Sequence, residues 1–349
     1  MGSKSFPLSA TSRSALSPVF SIPRIDNPSS NFFSSISSKC PRLKIVVRIA
    51  SHLNSSSMSS TLCKSASSTI GSEIFNSNGV GKTDLLIVGP GVLGRLIAQQ
   101  WREEHPGSQV YGQTLTTDHH EELVSLGIRP FTKDKKVFPH YPYVVFCAPP
   151  SRNADYAGEV RNSISTWSGE GTFVFTSSSS PFDVYDNGPC DENSPVVPFG
   201  INPRIDVLLS AEKEVTGKGG CVLRLAGLYT IDRGAHKFWL EKGISDTRPD
   251  HIFNLIHYED AASLCIAILK KKMRGRIFVG CDNHPLSRQE AMDIAAKSGK
   301  FSGSFKGFTG TSGPLGKRLN NTKTREELGW QPKYQSFAEF LRVDTVDVV

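Results

Sequence analysis

The residues best suited to chemistry in this chain are three glycines in Gly89-Pro90-Gly91-Val92-Leu93-Gly94, spaced G-x-G-x-x-G. They follow Leu85-Leu86-Ile87-Val88, a continuous apolar run of the kind that forms a strand buried on both faces of a parallel sheet. They precede a helical pattern with Leu93, Leu96, Ile97 and Trp101 on one side, ending near Pro106-Gly107. In a strand–turn–helix context each glycine has a physical task. Gly89 permits the tight turn, Gly91 offers bare backbone to a pyrophosphate, and Gly94 lets the helix lie close on the strand. The first N–H groups of the helix, around Val92 and Leu93, then face the phosphates. Pro90 removes one amide from the turn. The bland alternative is an ordinary glycine-rich β–α turn.

The next expected strand, Gln109-Val110-Tyr111-Gly112-Gln113, bears on which dinucleotide fits. A carboxylate about 20 residues past the glycines binds the ribose 2′-hydroxyl of NAD. Here those positions hold Gln113 and Thr114. The first acid, Asp118, reads as one half of a capping box with Glu121. Without a strand-end acid nothing repels a 2′-phosphate, and Arg95 and the hydroxyls of 114–117 can bind one. The expectation is NADP, with NAD left open. His119 and His120 are adjacent, so on a helix they point about 100° apart and read as surface residues, not a metal pair.

Such a turn needs a sheet to hold it, and the pattern continues. Tyr143 to Cys147 reads as a strand ending in Ala148-Pro149-Pro150, followed by a helix through Val160 and Ile164. Thr172 to Thr176 is another strand, Asn202-Pro203 opens a helix with an N-cap and a first-turn proline, and Cys221 to Leu225 is the next strand. Strands alternating with helices of this length predict an α/β fold, a Rossmann-type doubly wound parallel sheet over about 83–230. A smaller C-terminal lobe is expected over 231–343, with Arg276 to Gly280 returning to the main sheet. Ligands of such sheets sit beyond the carboxyl ends of the strands. Around one crevice that places Gly89–Gly94, Ala148 and Pro149, the serines from Ser177 to Ser180, and Ala226–Tyr229.

From about 83 to 343 the sequence resembles the extended short-chain dehydrogenase/reductases, the NAD-dependent epimerase/dehydratase-like family. The resemblance rests on ordered landmarks: the glycine turn, Phe175-Thr176-Ser177-Ser178-Ser179 with Val184-Tyr185, Leu223-Arg224-Leu225-Ala226-Gly227-Leu228-Tyr229, Ile256-His257-Tyr258-Glu259-Asp260-Ala261-Ala262, and Leu328-Gly329-Trp330-Gln331-Pro332. It implies a Ser that hydrogen-bonds the substrate oxygen, a Tyr that moves the proton, and a Lys four residues later that lowers the pKa of that Tyr. Ser178 best matches the serine, and Ser177 lies where the cofactor is contacted. Matching the helix that ends Leu208-Leu209-Ser210-Ala211-Glu212 places Arg204 at the Tyr and Leu208 at the Lys. None of the eight tyrosines is followed four residues later by lysine. The chain therefore looks like an atypical branch. Tyr185 and Tyr229 are candidate replacement acids or packing residues. His257 either faces the cleft or satisfies a nearby backbone group, Asp260 supports a chain turn, and Arg318 lies where an acidic substrate is often bound. An oxidoreductase or epimerase-like enzyme on a small carbonyl or sugar-type substrate is expected. A non-catalytic, redox-responsive dinucleotide scaffold is the alternative.

Composition narrows the remaining classes. The net charge of +7 resides in 1–72, which holds eight basic residues and one acid, Asp26. The other 32 basic and 32 acidic residues cancel, so a nucleic-acid partner for the folded body is not supported. Residues 1–80 contain 24 serines. Ser-rich, basic and acid-poor, 1–72 reads as a disordered plastid transit peptide and linker, with cleavage near Ala50, and a chloroplast stromal location is expected. No run of about 18 apolar residues reads as a membrane span. The seven cysteines form no C-x-x-C pair and read as reduced, buried thiols.

Overall fold

The computed structural model describes residues 79–134, 139–150 and 155–343. The transit-peptide reading of 1–72 lies outside them. The chain runs β1 (Leu85–Val88), α1 (Val92–Glu104), β2 (Val110–Thr114), α2 (His120–Ser125), β3 (Ile128–Thr132), β4 (Tyr143–Phe146), α3 (Tyr156–Ile164), β5 (Phe173–Ser178) and β6 (Asp186–Cys190). It continues through α4 (Pro203–Gly217), β7 (Cys221–Leu225), β8 (Gly227–Tyr229), α5 (Ala235–Lys242), β9 (Ile244–Ser245), β10 (Ile252–Phe253), β11 (Leu255–His257) and α6 (Tyr258–Lys270). The C-terminal part holds β12 (Ile277–Gly280), β13 (Leu286–Ser287), α7 (Arg288–Lys297), β14 (Gly307–Phe308), β15 (Gly316–Leu319), α8 (Thr322–Leu328) and α9 (Phe337–Leu341).

Seven parallel strands form the central sheet in the order β12-β7-β5-β4-β1-β2-β3. The alternation of side chains along β1 explains why it is apolar throughout. Leu85 and Ile87 join Leu93, Ile97 and Trp101 of α1 and Leu264 and Ile268 of α6 on one face. Leu86 and Val88 join Tyr156, Val160 and Ile164 of α3 and Ala211 and Val215 of α4 on the other. Helices thus cover both faces, which is the doubly wound architecture. The chain steps outward from β1 to β2 and β3, then crosses back to β4 on the other side of β1. That reversal of strand order falls between β1 and β4, and doubly wound sheets bind their ligands beyond the carboxyl ends of the strands at such a point.

β12 pairs in parallel with β7, so the C-terminal region does return to the main sheet. A second sheet of order β13-β10-β15-β6 lies outside the seven strands, and its short strands have no counterpart in the sequence reading. The expected capping box at Asp118 does not form. α2 begins at His120 with no side-chain cap, and the Asp118 carboxylate accepts instead from Thr116 Oγ1 at 3.0 Å. A local hydroxyl–carboxylate contact outcompetes the helix N–H groups there. Asn202 behaves as expected, its side chain accepting from the N–H groups of Arg204 and Ile205 ahead of Pro203. Among the described residues, no helix is long and apolar enough to cross a membrane.

Candidate functional site

The glycine turn separates into two closed positions and one open one. Gly89 has φ 75°, and a Cβ there would meet the Ala148 backbone at 2.7 Å. A Cβ on Gly94 would lie 2.9 Å from Ile87 Cγ2, so only a bare backbone lets α1 sit this close to β1. Gly91 is different. Its φ of −77° suits any residue, yet a Cβ there would have nothing within 4 Å. Gly91 is the N-cap of α1, with no side-chain cap and no acid in the first turn. The first intrahelical bond runs from Arg95 N to Gly91 O. The preceding N–H groups of Val92, Leu93 and Gly94 therefore lack intrahelical acceptors and sit at the positive end of a 13-residue helix. Open space, bare backbone and N–H groups without intrahelical acceptors give this turn the chemistry to receive an anion.

The β4 end completes one wall. Cys147 N donates to Val88 O at 2.8 Å, and Tyr156 Oη donates to Ala148 O at 2.7 Å. Ala148 and Pro149 are thereby fixed against Gly89. At the other wall, Thr114 ends β2, with its hydroxyl 2.7 Å from His120 Nε2 and donating to Phe131 O at 3.2 Å. Arg95 is paired with Glu122. Pro90 is buried, and a Cβ on Gly112 would meet its ring at 3.2 Å, so Pro90 stacks on β2.

β5 extends to Ser178, so Ser177 and Ser178 are the last two residues of a strand, on opposite faces. Ser177 is buried and donates to Glu212 Oε1 at 2.6 Å; Arg224 binds the same carboxylate through Nε at 3.1 Å and Nη2 at 2.6 Å. The Ser177 hydroxyl is thus engaged on the α4 side of the sheet. Ser178 is half-buried, and its Oγ accepts from Ser180 N at 3.1 Å, which leaves the hydroxyl proton available. Tyr185 is 41% exposed, and burial of part of its ring, then Asp183, raises its phenol above the usual value.

Sequence reasoning missed Lys317. β15 pairs with β6 and carries this lysine to the serine segment, where Nζ donates to Phe182 O at 2.6 Å and Ser179 O at 3.3 Å. The same Nζ lies 5.6 Å from the centre of the Tyr185 ring, and burial lowers its pKa to about 8. Nothing local marks it, because Lys317 and Ser179 are 138 residues apart. The neighbouring Arg318 is exposed.

The remaining candidates sit away from these groups. His257 is the N-cap of α6, Nδ1 accepting from Glu259 N at 3.2 Å, with its ring among Tyr229, Tyr334 and Phe340. Burial lowers its pKa to about 4, so it is neutral at pH 7. Tyr229 is fully buried, packed edge-on against Phe337 and Phe340. Asp260 accepts from the N–H groups of Lys333 and Tyr334 and ties α6 to the chain before α9. On α4, Arg204 is exposed and Leu208 is half-buried against the α3–α4 side of the core. Among the described residues, no group of three or more His, Cys, Asp or Glu could hold a metal ion. A groove of about 560 Å³ lined by Arg102, Gln109, Gly127 and Ile128 lies at the amino ends of β2 and β3, the opposite end of the sheet from the glycine turn.

No family model and no curated protein matches the sequence. Solved structures match the fold. A functionally unknown conserved protein from Silicibacter pomeroyi is 21% identical, covering 74% of this chain and 96% of its own, with a TM-score of 0.61. The dTDP-glucose 4,6-dehydratase of Bacillus anthracis in complex with NAD is 13% identical, covering 74% and 94%, with a TM-score of 0.61. The UDP-glucuronic acid 4-epimerase of Bacillus cereus in complex with NAD is 15% identical, covering 75% and 97%, with a TM-score of 0.60. At these identities the likeness is one of architecture: the chain has the Rossmann-type α/β fold on which these epimerase and dehydratase structures are built.

Proposed function

We propose that the chain binds a nicotinamide dinucleotide across the β1–β4 crevice and acts as an oxidoreductase or epimerase-like enzyme on a small carbonyl or sugar-type substrate. One observation carries the reading: of the three glycines, Gly89 and Gly94 are required by protein contacts, whereas Gly91 has only open space before it. A ligand that needs bare backbone at a helix N-terminus accounts for that glycine. Similar architectures with NAD bound support the coenzyme class. NADP(H) is favoured because β2 ends in Gln113 and Thr114 and not in an acid.

The nicotinamide would supply the hydride chemistry when bound. The chain's own part is positioning and proton handling. Ser178 can donate to a substrate oxygen, and Tyr185, kept protonated at neutral pH, can act as the acid. With Arg204 and Leu208 where the resemblance places Tyr and Lys, this relay is not the usual one, and loss of a positioned acid slows turnover about 10²–10⁴-fold. That observation favours a second reading, a dinucleotide-binding scaffold without turnover. The Ser-rich, acid-poor 1–72 supports delivery to the chloroplast.

The test is binding of NADPH and NADH to the full chain and to Gly91→Asp, followed by nicotinamide fluorescence. Aspartate is a favourable N-cap, so the variant should match or exceed the wild type in melting temperature. Its side chain and charge should weaken both coenzymes by at least about 100-fold, because they enter the space a phosphate would take. Unchanged binding in Gly91→Asp would rule out this site. Coenzyme binding without hydride exchange on a carbonyl and nucleotide-sugar panel would select the scaffold.

A further inference from the structure

The first turns of α1 and α2 meet in an ion pair that the glycine turn does not require. Arg95, the residue after Gly94, forks onto Glu122, Nη1 to Oε1 at 2.5 Å and Nη2 to Oε2 at 3.0 Å. The Arg95 side chain is 25% exposed and its Nε is buried with no acceptor, while the Glu122 side chain is 51% exposed. His119 Nδ1 stands 3.4 Å from Glu122 Oε2. Glu122 lies on a helix eight residues past the end of β2, outside the strand-end position where a carboxylate is expected to read a ribose.

Resting on the dinucleotide reading above, we propose that Glu122 sets the balance between the phosphorylated and unphosphorylated coenzymes, by occupying the Arg95 fork that a 2′-phosphate would take. Carboxylate and phosphate are alternative partners for one planar guanidinium, and both bind it through paired N–H groups. Of the hydroxyls after β2, that of Thr114 is already engaged by His120 and Phe131 O, and that of Thr116 by Asp118. A 2′-phosphate must therefore displace or share Glu122, and its charge repels that carboxylate. A 2′-hydroxyl makes no such demand, so Glu122 narrows, without reversing, the preference for NADP(H) that the acid-free end of β2 gives. Arg95 is a phosphate ligand held in reserve, and Glu122 is what holds it.

Dissociation constants for NADPH and NADH, measured by nicotinamide fluorescence on the full chain, on Glu122→Gln, on Arg95→Met and on the double variant, test this. Glu122→Gln keeps the side-chain length and an amide oxygen for Arg95 on a half-exposed surface, and its melting temperature, measured alongside, should stay close to that of the wild type. It should tighten NADPH by about tenfold, the scale of one charge-assisted hydrogen bond, and move NADH by less than about twofold. Arg95→Met should weaken NADPH selectively and erase the gain from Glu122→Gln, as coupled positions do. An unchanged NADPH/NADH ratio in Glu122→Gln, or a gain that survives Arg95→Met, overturns the proposal while leaving the dinucleotide reading intact. Failure of both coenzymes to bind the wild type overturns that reading and this proposal with it.

Discussion

Gly89 and Gly91, on either side of Pro90 in one turn, answer to different constraints, and single substitutions separate them. Gly89 sits at φ 75° with the Ala148 backbone where a side chain would go. Gly89→Ala should therefore lower stability by about 2–5 kcal/mol, from backbone strain plus overpacking, in urea unfolding. Gly91→Asp, in open space and at an N-cap, should not. If Gly89→Ala unfolds at the wild-type urea concentration, the close β1–β4 approach is wrong, and the crevice geometry with it. The sequence motif treats all three glycines alike; the distances show that protein contacts require Gly89 and Gly94 and leave Gly91 facing open space.

Between elements, the last residues of β5 are held by a buried network that joins three parts of the chain. Ser177 on β5, Glu212 on α4 and Arg224 on β7 share one carboxylate, and Arg224 lies over the Phe182 ring at 4.6 Å. Glu212 and Arg224 side chains are 5% and 4% exposed. Removing one partner leaves the other charge buried, so Glu212→Ala should destabilise by about 3–5 kcal/mol. Glu212→Leu combined with Arg224→Met should restore most of that loss, because it removes both charges. A double variant as unstable as Glu212→Ala would show that hydrogen bonding to Ser177, not charge pairing, holds this end of β5. Since Ser178 is paired across from Leu225 in the same ladder, the network also fixes the candidate serine.

At the scale of the whole molecule, a buried and incompletely partnered carboxyl group lies where the main sheet meets the C-terminal elements. Asp282 follows β12; its N–H donates to Leu255 O at 2.9 Å, and its carbonyl accepts from Arg325 Nη2 at 2.8 Å. Its Oδ2 is buried without a partner, as is the Tyr229 hydroxyl. Burial raises the Asp282 carboxyl to about 8. Between pH 4 and 8 the folded chain thus keeps a proton that the unfolded chain has released, and stability falls as pH rises through that window. The slope from one group is at most about 1.4 kcal/mol per pH unit. Asp282→Asn should flatten the decline in unfolding free energy between pH 5 and 8; an identical slope would place the titration elsewhere. His257, lowered to about 4, acts in the opposite sense, removing stability as pH falls from 6.5 toward 4.

The sequence by itself determined what local rules control. A buried parallel strand is apolar on both faces, so β1 was legible from Leu85–Val88; a turn with φ 75° needs glycine, so Gly89 was legible; Asn202-Pro203 announced α4. Backbone sterics and side-chain periodicity act over a few residues and leave their mark there. Tertiary structure alone decided which charges meet. Arg95 finds Glu122 27 residues away, and Lys317 reaches Phe182 across 135, because strand order and not sequence distance sets these neighbours. The Asp118 capping box failed for a related reason: the Thr116 hydroxyl takes the carboxylate, and the pattern of residue types does not record which contact wins.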